Sequence, residues 1–564
     1  MKRPRVSKLM VGAMALACAG ITLPAQAQVT PFQILGHIES FCLNNQIASG
    51  TGACLTTADK EALVLTPADP RTVGATTATP LIGARIVVSG IAVTIPVNTV
   101  VQMPAAYLTP QQIFARAQGV SKKYNESGLA LQDKFPPLAA FEVAIDGNIV
   151  NNTYIAGLVR ISQQSLNNGA GYIHGINLSP PPDHSAGKLC IGPNPLAITC
   201  QPGDVMIRLN DPALPSSDPF PGDGRYGRPN PNPPNTEKPN PAPPPAPAMI
   251  DDPNSRFPDP RFTVDQGNPT VHALTGYPMC VPRSAVDSEC PSVNRPAGLT
   301  TFVMHTEPLI PPAKFASQPI QNCAGCDPDK QAPFIVGDYI TYAGTLAQDA
   351  DGPFVSVHTM VGNVGIYTKP GGRAYVTLEE SLVGTNGPVL VCGSIAECQN
   401  RLKVEGFSTD PSRKVNVYAI DVNASTGAQT ARLLHGTEKV QAVFGRFRYV
   451  PPLTVAGLHD LNGTLMGVTR ELMVRIDDGT PFPDGSPLPS TPVTAHGLVA
   501  GIYVAPVGEY IFPEPTGVQG GPQPALNFQC LAFLVNGWSL PELPAIPRLA
   551  PWPGSEPPAF SCTN

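Results

Sequence analysis

The chain has 564 residues, of which 42% are hydrophobic and 14% charged, and its net charge is −6 at pH 7. The apolar fraction excludes disorder throughout the chain, and the negative charge argues against a nucleic-acid partner, which needs a clustered basic surface. The 68 prolines and 52 glycines limit the helix content, and the length calls for several domains.

Residues 1–27 have the three parts of a secretory signal peptide. The basic start MKRPRVSK is followed by the apolar run LMVGAMALACAGITL and by the cleavage signal Ala25-Gln26-Ala27. We expect a mature chain that begins at or close to Gln28, and loss of four basic residues would take its net charge from −6 to −10. The expected location is periplasmic, cell-surface or extracellular, with lipidation of Cys18 as an alternative. No later apolar run reaches the ~20 residues of a transmembrane helix.

Alternation of apolar and polar residues predicts strands along most of the mature chain. The predicted strands lie in ARIVVSGIAVTIPVNTVVQMP (84–104), TYIAGLVRIS, DVMIRLN, DYITYAGTL, FVSVHTMV, RAYVTLEE, KVNVYAIDV, LMVRIDD, GLVAGIYVAP and CLAFLVNG. One segment, AYLTPQQIFARAQGVSKKY (106–124), has helical periodicity, with Ile113, Ala117 and Val120 on one side. The predicted fold class is mainly β, with several small barrel or sandwich domains joined by proline-rich loops and little helix.

A glycine recurs inside the predicted strands. It occurs in ILGHI (34–38), IAGLV (155–159), YAGTL (342–346), VEGFS (404–408) and VAGIY (499–503). Glycine within a strand is typical of a bulge or a sharp bend, which small barrels need in order to coil and close. The irregular spacing of the five copies argues against a solenoid or a propeller.

The N-terminal strands resemble a known kind of module. The sequence ILGHIESF followed by VVSGIAVTIPVNTVVQ, within residues 32–104, resembles the OB-type small β-barrels of exported bacterial proteins. The resemblance implies a closed OB-like barrel, a fold that often binds oligonucleotides or oligosaccharides. Aromatic residues make up only 6% of the chain, and together with the negative charge this disfavours base stacking in a basic groove.

The predicted organisation has eight parts. They are a signal peptide (1–27), an OB-like β domain with one helix (28–135), a second β domain (136–210), a proline-rich linker or long loop (211–262), a cysteine-containing loop-rich segment (263–332), a third β domain (333–400), a fourth β region (401–540) and a proline-rich tail (541–564). Prolines in the linker and tail favour extended polyproline conformations.

The cysteines predict a set of local crosslinks. Thirteen occur, and the twelve that follow the signal peptide fall into neighbouring pairs in an oxidising compartment. The expected disulfide candidates are Cys42 with Cys54, Cys190 with Cys200, Cys280 with Cys290, Cys323 with Cys326, Cys392 with Cys398, and Cys530 with Cys562. The motif CAGCDPDK favours a loop disulfide, because a redox pair would open a helix and a zinc site would need a second ligand pair. Both alternatives stay open for that motif.

Residues typical of metal sites occur in isolated groups. Met304, His305, His358 and Met360 are of a kind that suits copper. Asp349, Asp351, Asp477 and Asp478 lie in loops of a kind that suits calcium, although none matches an EF-hand. No cofactor is predicted, with calcium as the one alternative.

The predicted function follows from what these patterns include and leave out. The sequence contains no nucleophile elbow, no zinc-protease motif and no P-loop, so we predict no catalytic residues and favour a protein that is not an enzyme. The expected role is a structural or binding component of the cell surface or extracellular matrix, whose partners include other surface components and further copies of itself. The alternatives are a secreted hydrolase of a polymer and an extracellular metal-binding protein.

Overall fold

The structure is a computed structural model that describes most of the strand-rich parts of the chain. The described residues are 30–44, 54, 83–95, 101–104, 107–108, 110–115, 117, 126–150, 152–163, 167–178, 187–210, 259, 261–262, 270–282, 286–305, 320–349, 351–384, 403–422, 429–441, 445–450, 471–479, 486–487, 498–507 and 509–511. The residues predicted as a signal peptide, most of those predicted as a proline-rich linker and those predicted as a C-terminal tail lie outside them. The described part consists almost entirely of strands in several sheets, which confirms the mainly β prediction.

The first barrel is formed by residues before 163. Its elements are β1 (Thr30–Asn44), β2 (Gly83–Val88), β3 (Ile91–Ile95), β4 (Val101–Gln102), β5 (Tyr107–Leu108), helix α1 (Pro110–Ala115), β6 (Glu142–Val150) and β7 (Thr153–Ser162). Five strands lie in the order β3-β2-β1-β6-β7, and parallel pairing of β3 with β7 closes the ring. Its core includes Ile38, Ile86, Val93 and Ile145, all fully buried.

The one predicted helix is present but short. It spans Pro110–Ala115, and its Ile113 is fully buried in the core of the first barrel. Ala117, predicted to lie on the same side of the helix, is buried as well, whereas Val120 lies outside the described residues.

The second barrel combines strands that are far apart in sequence. The elements of this part are β8 (Asn168–Ile176), β9 (Lys188–Gly192), β10 (Val205–Leu209), β11 (Val271–Ala273), β12 (Met279–Cys280), β13 (Thr301–Met304), β14 (Gln321–Asn322), β15 (Ala332–Pro333), β16 (Tyr339–Asp349), β17 (Gly352–Gly362) and β18 (Gly365–Thr368). The barrel strands lie in the order β10-β9-β8-β16-β17, and parallel pairing of β10 with β17 closes the ring. The short sheets β12-β15 and β14-β13-β18 share its hydrophobic core.

The two barrels repeat one another in order, direction and irregularities. In both, the first strand pairs antiparallel with the second and the fourth, and the third pairs parallel with the fifth. The first strand carries a bulge against the second, after Ile38 in one barrel and after Ile173 in the other. The fourth strand shifts register against the fifth just before Gly147 and just before Gly344. Aligning these features makes Glu39 equivalent to His174.

Glycine is required at the equivalent positions 147 and 344. A Cβ atom on Gly147 would overlap the carbonyl oxygen of Ile155, and one on Gly344 would overlap that of Ser356. Both glycines therefore let the fifth strand approach closely where the register shifts. Gly344 belongs to the predicted YAGTL motif, so the expected link between strand glycines and bulges is observed there.

The third unit is built from two sheets that share a core. Its strands are β19 (Val376–Gly384), β20 (Lys403–Ser408), β21 (Val415–Val422), β22 (Gln429–Glu438), β23 (Arg446–Tyr449), β24 (Glu471–Ile476), β25 (Ser486–Pro487), β26 (Ile502–Pro506) and β27 (Glu509–Ile511). The sheets have the orders β23-β20-β19-β27 and β25-β22-β21-β24-β26. Val404, Val417, Phe447 and Val474 are fully buried between them.

Buried polar side chains tie the two barrels to each other. Asn210, after β10, donates to the carbonyl oxygens of Asp259 (2.8 Å) and Phe262 (2.9 Å). Arg261 forms a two-point ion pair with Asp259, with nitrogen–oxygen distances of 2.9 and 2.7 Å, and donates to the carbonyl oxygen of Ser127 at 2.5 Å. Phe262 enters the core of the first barrel. The end of the segment predicted as a linker is therefore anchored to both barrels.

Candidate functional site

The hairpin between β9 and β10 has a longer connection than the equivalent hairpin of the first barrel. In the first barrel the equivalent connection is the two-residue turn Ser89-Gly90, whose φ values of 50° and 76° fit a tight hairpin. In the second barrel the connection runs from residue 193 to residue 204 and contains Cys200, which is bonded to Cys190 of β9. We refer to residues 193–204 as the hairpin loop.

His174 holds this hairpin loop from the bulge in β8. Its Nε2 donates to the carbonyl oxygen of Asn194 at 2.8 Å, and its Nδ1 lies 2.7 Å from Oδ2 of Asp204. The same carboxylate oxygen accepts the backbone N–H of Gln201 at 2.7 Å. Gly192 lies against the imidazole, where a Cβ atom would overlap both the ring and Asp204. The site thus has a histidine, its carboxylate and a glycine that makes room for the ring.

The chemistry of this His–Asp pair is structural. A carbonyl oxygen only accepts, so the contact with Asn194 places a proton on Nε2 of His174. In a catalytic dyad the second ring nitrogen faces a nucleophile. Here that nitrogen is bound to the backbone of Asn194, and the imidazole is buried. His174 therefore fixes the hairpin loop on the barrel and does not present a base to solvent.

A second charged cluster lies where β9 meets the β16–β17 turn. The buried ammonium of Lys188 donates to Oδ1 of Asp349 and to Oδ2 of Asp351, both at 2.9 Å. The ring of Phe354 lies 5.6 Å from the same nitrogen. Arg208 lies opposite Lys188 in the register of the neighbouring strand. Burial lowers the pKa of Arg208, and the negative charge of Asp349 opposes that effect. Two cations and two carboxylates thus meet on three strands and the turn after β16.

In this cluster the two predicted calcium ligands of the turn bind Lys188 instead. Asp349 and Asp351 lie together, as the loop pattern suggested, but their oxygens are bonded to Lys188. Asp349 also accepts the backbone N–H of Asp351 at 3.0 Å. A calcium ion would have to displace the ammonium before it could use these carboxylates.

The other acidic candidates lie on the third unit, after β24. Asp477 accepts the backbone N–H of Gly479 at 3.0 Å, and Asp478 accepts from Arg475 at 2.7 Å. Both hydrogen bonds are local: the first lies within the turn that follows β24, and the second joins that turn to Arg475 of β24. Within the described ranges, no three or more His, Cys, Asp and Glu side chains are grouped so that they could hold a metal ion.

The four copper candidates are divided between two sheets. Met304 ends β13 and His305 follows it, whereas His358 and Met360 belong to β17. Met304 and Met360 are both buried in the core around the second barrel. The Nδ1 atom of His358 lies 2.9 Å from the hydroxyl of Thr359, and Nε2 has no hydrogen-bond partner among the described residues. Complete burial lowers the pKa of His358 to about 4, so its ring is neutral near pH 7.

The cysteine motif CAGC forms a loop disulfide. Cys323 and Cys326 are bonded to each other and buried. The following residues are held by neighbours, since Asn294 donates to the carbonyl oxygens of Asp327 (3.0 Å) and Gln331 (2.9 Å), and Tyr277 donates to that of Lys330 at 2.6 Å. Because both cysteines are buried, their sulfur atoms are not presented to solvent as those of a redox pair would be.

Four of the six predicted disulfides are formed, which confirms a disulfide-stapled β protein. They join Cys42 to Cys54, Cys190 to Cys200, Cys280 to Cys290 and Cys323 to Cys326. The remaining four cysteines, Cys392, Cys398, Cys530 and Cys562, lie outside the described residues. Disulfides of this number indicate an oxidising, extracellular type of environment.

Sequence reasoning did not single out His174, Asp204 or Lys188. A signal was present for the first, because Gly36-His37-Ile38-Glu39 aligns with Gly171-Tyr172-Ile173-His174, and each begins with a glycine that the second strand approaches closely. The ion pairs could not be inferred, since Lys188 and Asp349 are 161 residues apart in sequence.

Comparison of the chain with protein-family models, curated proteins and solved structures gave no match. In the described part of the chain, no helix is both long and apolar enough to cross a membrane.

Proposed function

We propose that this protein is exported and acts as a disulfide-stapled structural or binding component of the cell surface or extracellular matrix. The signal-peptide pattern of residues 1–27 and the four disulfides support export. The fold supports a scaffold, since two barrels of one design are joined by buried polar ties and followed by a third β unit.

The observation that best supports a structural role is that both ring nitrogens of His174 bind the hairpin loop. His174 is the described histidine whose surroundings most resemble a catalytic site, being paired with the carboxylate of Asp204 at 2.7 Å. Both of its nitrogens nevertheless serve to fix a loop. Lys188 and Arg261, two buried cations, likewise link strands and segments through Asp349 and Asp259.

The OB-like character of both barrels is part of this proposal. Each barrel has five strands in the cyclic order first, second, third, fifth, fourth, with a parallel contact between the third and the fifth. The first barrel also has a helix between its third and fourth strands. This arrangement supports the resemblance seen in the sequence of residues 32–104, and it extends that resemblance to the second barrel.

Export and the absence of catalysis can be tested on the full chain with its own leader. We expect the protein in the periplasm, on the cell surface or in the medium, with an N-terminus at or near Gln28 and no free thiol. Retention of an intact leader in the cytoplasm, with reduced cysteines, would contradict export. Release of reducing ends from a polysaccharide panel by the purified protein, abolished by one Asp or Glu substitution, would favour the hydrolase alternative.

A further inference from the structure

The hairpin loop presents two large aliphatic side chains to solvent. Leu196 is 85% exposed and Ile198 is 78% exposed, while Ala197 between them is buried. Val205, at the start of β10, is a further exposed apolar residue at 41%. Transfer of such side chains out of water is favourable, so a fixed loop that displays two of them at its tip is a candidate for contact with an apolar phase.

The loop is an addition to the repeated barrel design. The equivalent connection in the first barrel is only Ser89-Gly90, and it closes the same pair of strands. Closing the second barrel therefore does not require the extra residues. They are fixed by the Cys190–Cys200 disulfide and by His174, so little conformational freedom is lost when the loop binds.

The polar groups of the loop suit a medium of low polarity. Residues 193–203 contain no charged side chain. The Asn194 side chain accepts the N–H of Leu196 at 3.0 Å, and the Gln201 side chain donates to the carbonyl oxygen of Thr199 at 2.8 Å. The one acid of the loop, Asp204, has a buried side chain that faces His174. Insertion of the tip would leave no charge without a partner.

We propose that the hairpin loop docks on a neutral lipid surface and inserts Leu196 and Ile198 at the boundary between headgroups and acyl chains. This inference rests on the proposed location outside the cytoplasm, where such surfaces are accessible. A lipid surface fits better than a second copy of the chain, because two aliphatic side chains offer far less than the roughly 800 Å² that each partner of a stable dimer buries. The absence of loop charge means that anionic lipid is not needed.

The test uses the full mature protein in flotation assays with phosphatidylcholine vesicles, with and without phosphatidylglycerol. Wild type is expected to float with both vesicle types, and high salt is expected to leave binding unchanged. The double variant Leu196→Ser with Ile198→Ser is expected to lose about 100-fold in vesicle affinity, since each side chain contributes about tenfold or more. The matched control is Val286→Ser, because Val286 is 89% exposed on another loop and its substitution should have no effect.

A fluorescence measurement tests whether the hairpin loop is the part that contacts the vesicle. Tryptophan emission of Leu196→Trp, taken as a difference from wild type, should shift to the blue on vesicle addition, whereas that of Val286→Trp should not. Binding that the double variant retains, or that occurs only with phosphatidylglycerol, would overturn the proposal. A dimer in sedimentation equilibrium that the double variant abolishes, without vesicle binding, would instead assign the loop to a second copy. If the protein is exported but does not bind vesicles, only this inference is overturned. If the protein stays in the cytoplasm, the proposed function is overturned.

Discussion

Glu39 and His174 occupy equivalent positions in two successive barrels and have the same structural role. Each follows the isoleucine at the bulge of the first strand, and each binds the connection between the second and third strands. Glu39 accepts the N–H of Gly90 at 2.9 Å, and His174 donates to the carbonyl oxygen of Asn194 at 2.8 Å. A bulge turns the side chain at this position toward the hairpin. Both barrels therefore have a side-chain hydrogen bond to the hairpin connection, although the residue that makes it differs.

Replacing these two residues should have unequal effects. Glu39→Ala removes a hydrogen bond at an exposed turn and is expected to lower the free energy of unfolding by about 1 kcal/mol or less. His174→Ala removes the imidazole that faces the buried carboxylate of Asp204 and should cost about 3 kcal/mol or more. Denaturant unfolding measures both values. Equal small losses would show that His174 contributes nothing beyond an ordinary hydrogen bond.

The glycines at the register shift should not tolerate a methyl group. Gly147→Ala and Gly344→Ala each place a Cβ atom against a carbonyl oxygen of the fifth strand, which must then move away. We expect a loss of about 2 kcal/mol or more, measured as a lower unfolding midpoint. Gly372→Ala is the matched control, because its Cβ would meet the nearest atom, the carbonyl oxygen of Lys369, at 3.2 Å. A control as damaged as the two test variants would contradict the explanation.

Removing the buried ammonium should be far more costly than removing an exposed one. Lys188→Met removes the ammonium that pairs with the buried carboxylate of Asp349, and we expect a loss of about 3–5 kcal/mol. The double variant with Asp349→Asn should recover part of that loss, because it also removes the buried negative charge. Arg373→Met is the control, since its ion pair with Asp329 is exposed to solvent and should contribute about 1 kcal/mol or less. Additive losses in the double variant would argue against a direct interaction.

His358 should make the protein sensitive to mild acid. Burial lowers its pKa from 6.5 to about 4 in the folded state, so the unfolded chain binds a proton first as the pH falls. Stability is therefore full above about pH 6.5 and is lost as the pH falls toward 4, by up to about 3 kcal/mol. His358→Leu should reduce the slope over this range in denaturant unfolding at several pH values. His272, whose pKa is also lowered by burial, should account for a separate part. An unchanged slope in the His358 variant would contradict the assignment.

The disulfides should differ in their contribution to stability. Peptide mapping without reduction is expected to find Cys190 joined to Cys200 and Cys323 joined to Cys326. Because the first closes a longer loop, replacing both of its cysteines with serine should cost about 2–3 kcal/mol, more than the same change at the second. Calorimetry of the two double variants provides the comparison. Free thiols at Cys323 and Cys326 in the oxidised protein would revive the redox alternative.

Local features of the sequence were readable because they depend on neighbours in the chain. Strand alternation, the glycine of YAGTL and the spacing of cysteines are all set within about a dozen residues, so the mainly β class and the four described disulfides could be predicted. The helix was predicted over residues 106–124 but begins only at Pro110, where proline fixes the backbone angle suited to a first helical turn.

By itself, the sequence determined that the described chain folds into twisted sheets stapled by short-range disulfides, since alternation and cysteine spacing act over short distances. The tertiary structure alone decided that β10 closes a barrel with β17 and that Lys188 meets Asp349. Those contacts join residues far apart in the chain, and they are selected by the collective burial of apolar side chains and by the need to pair each buried charge. No local pattern encodes which distant strand completes the ring.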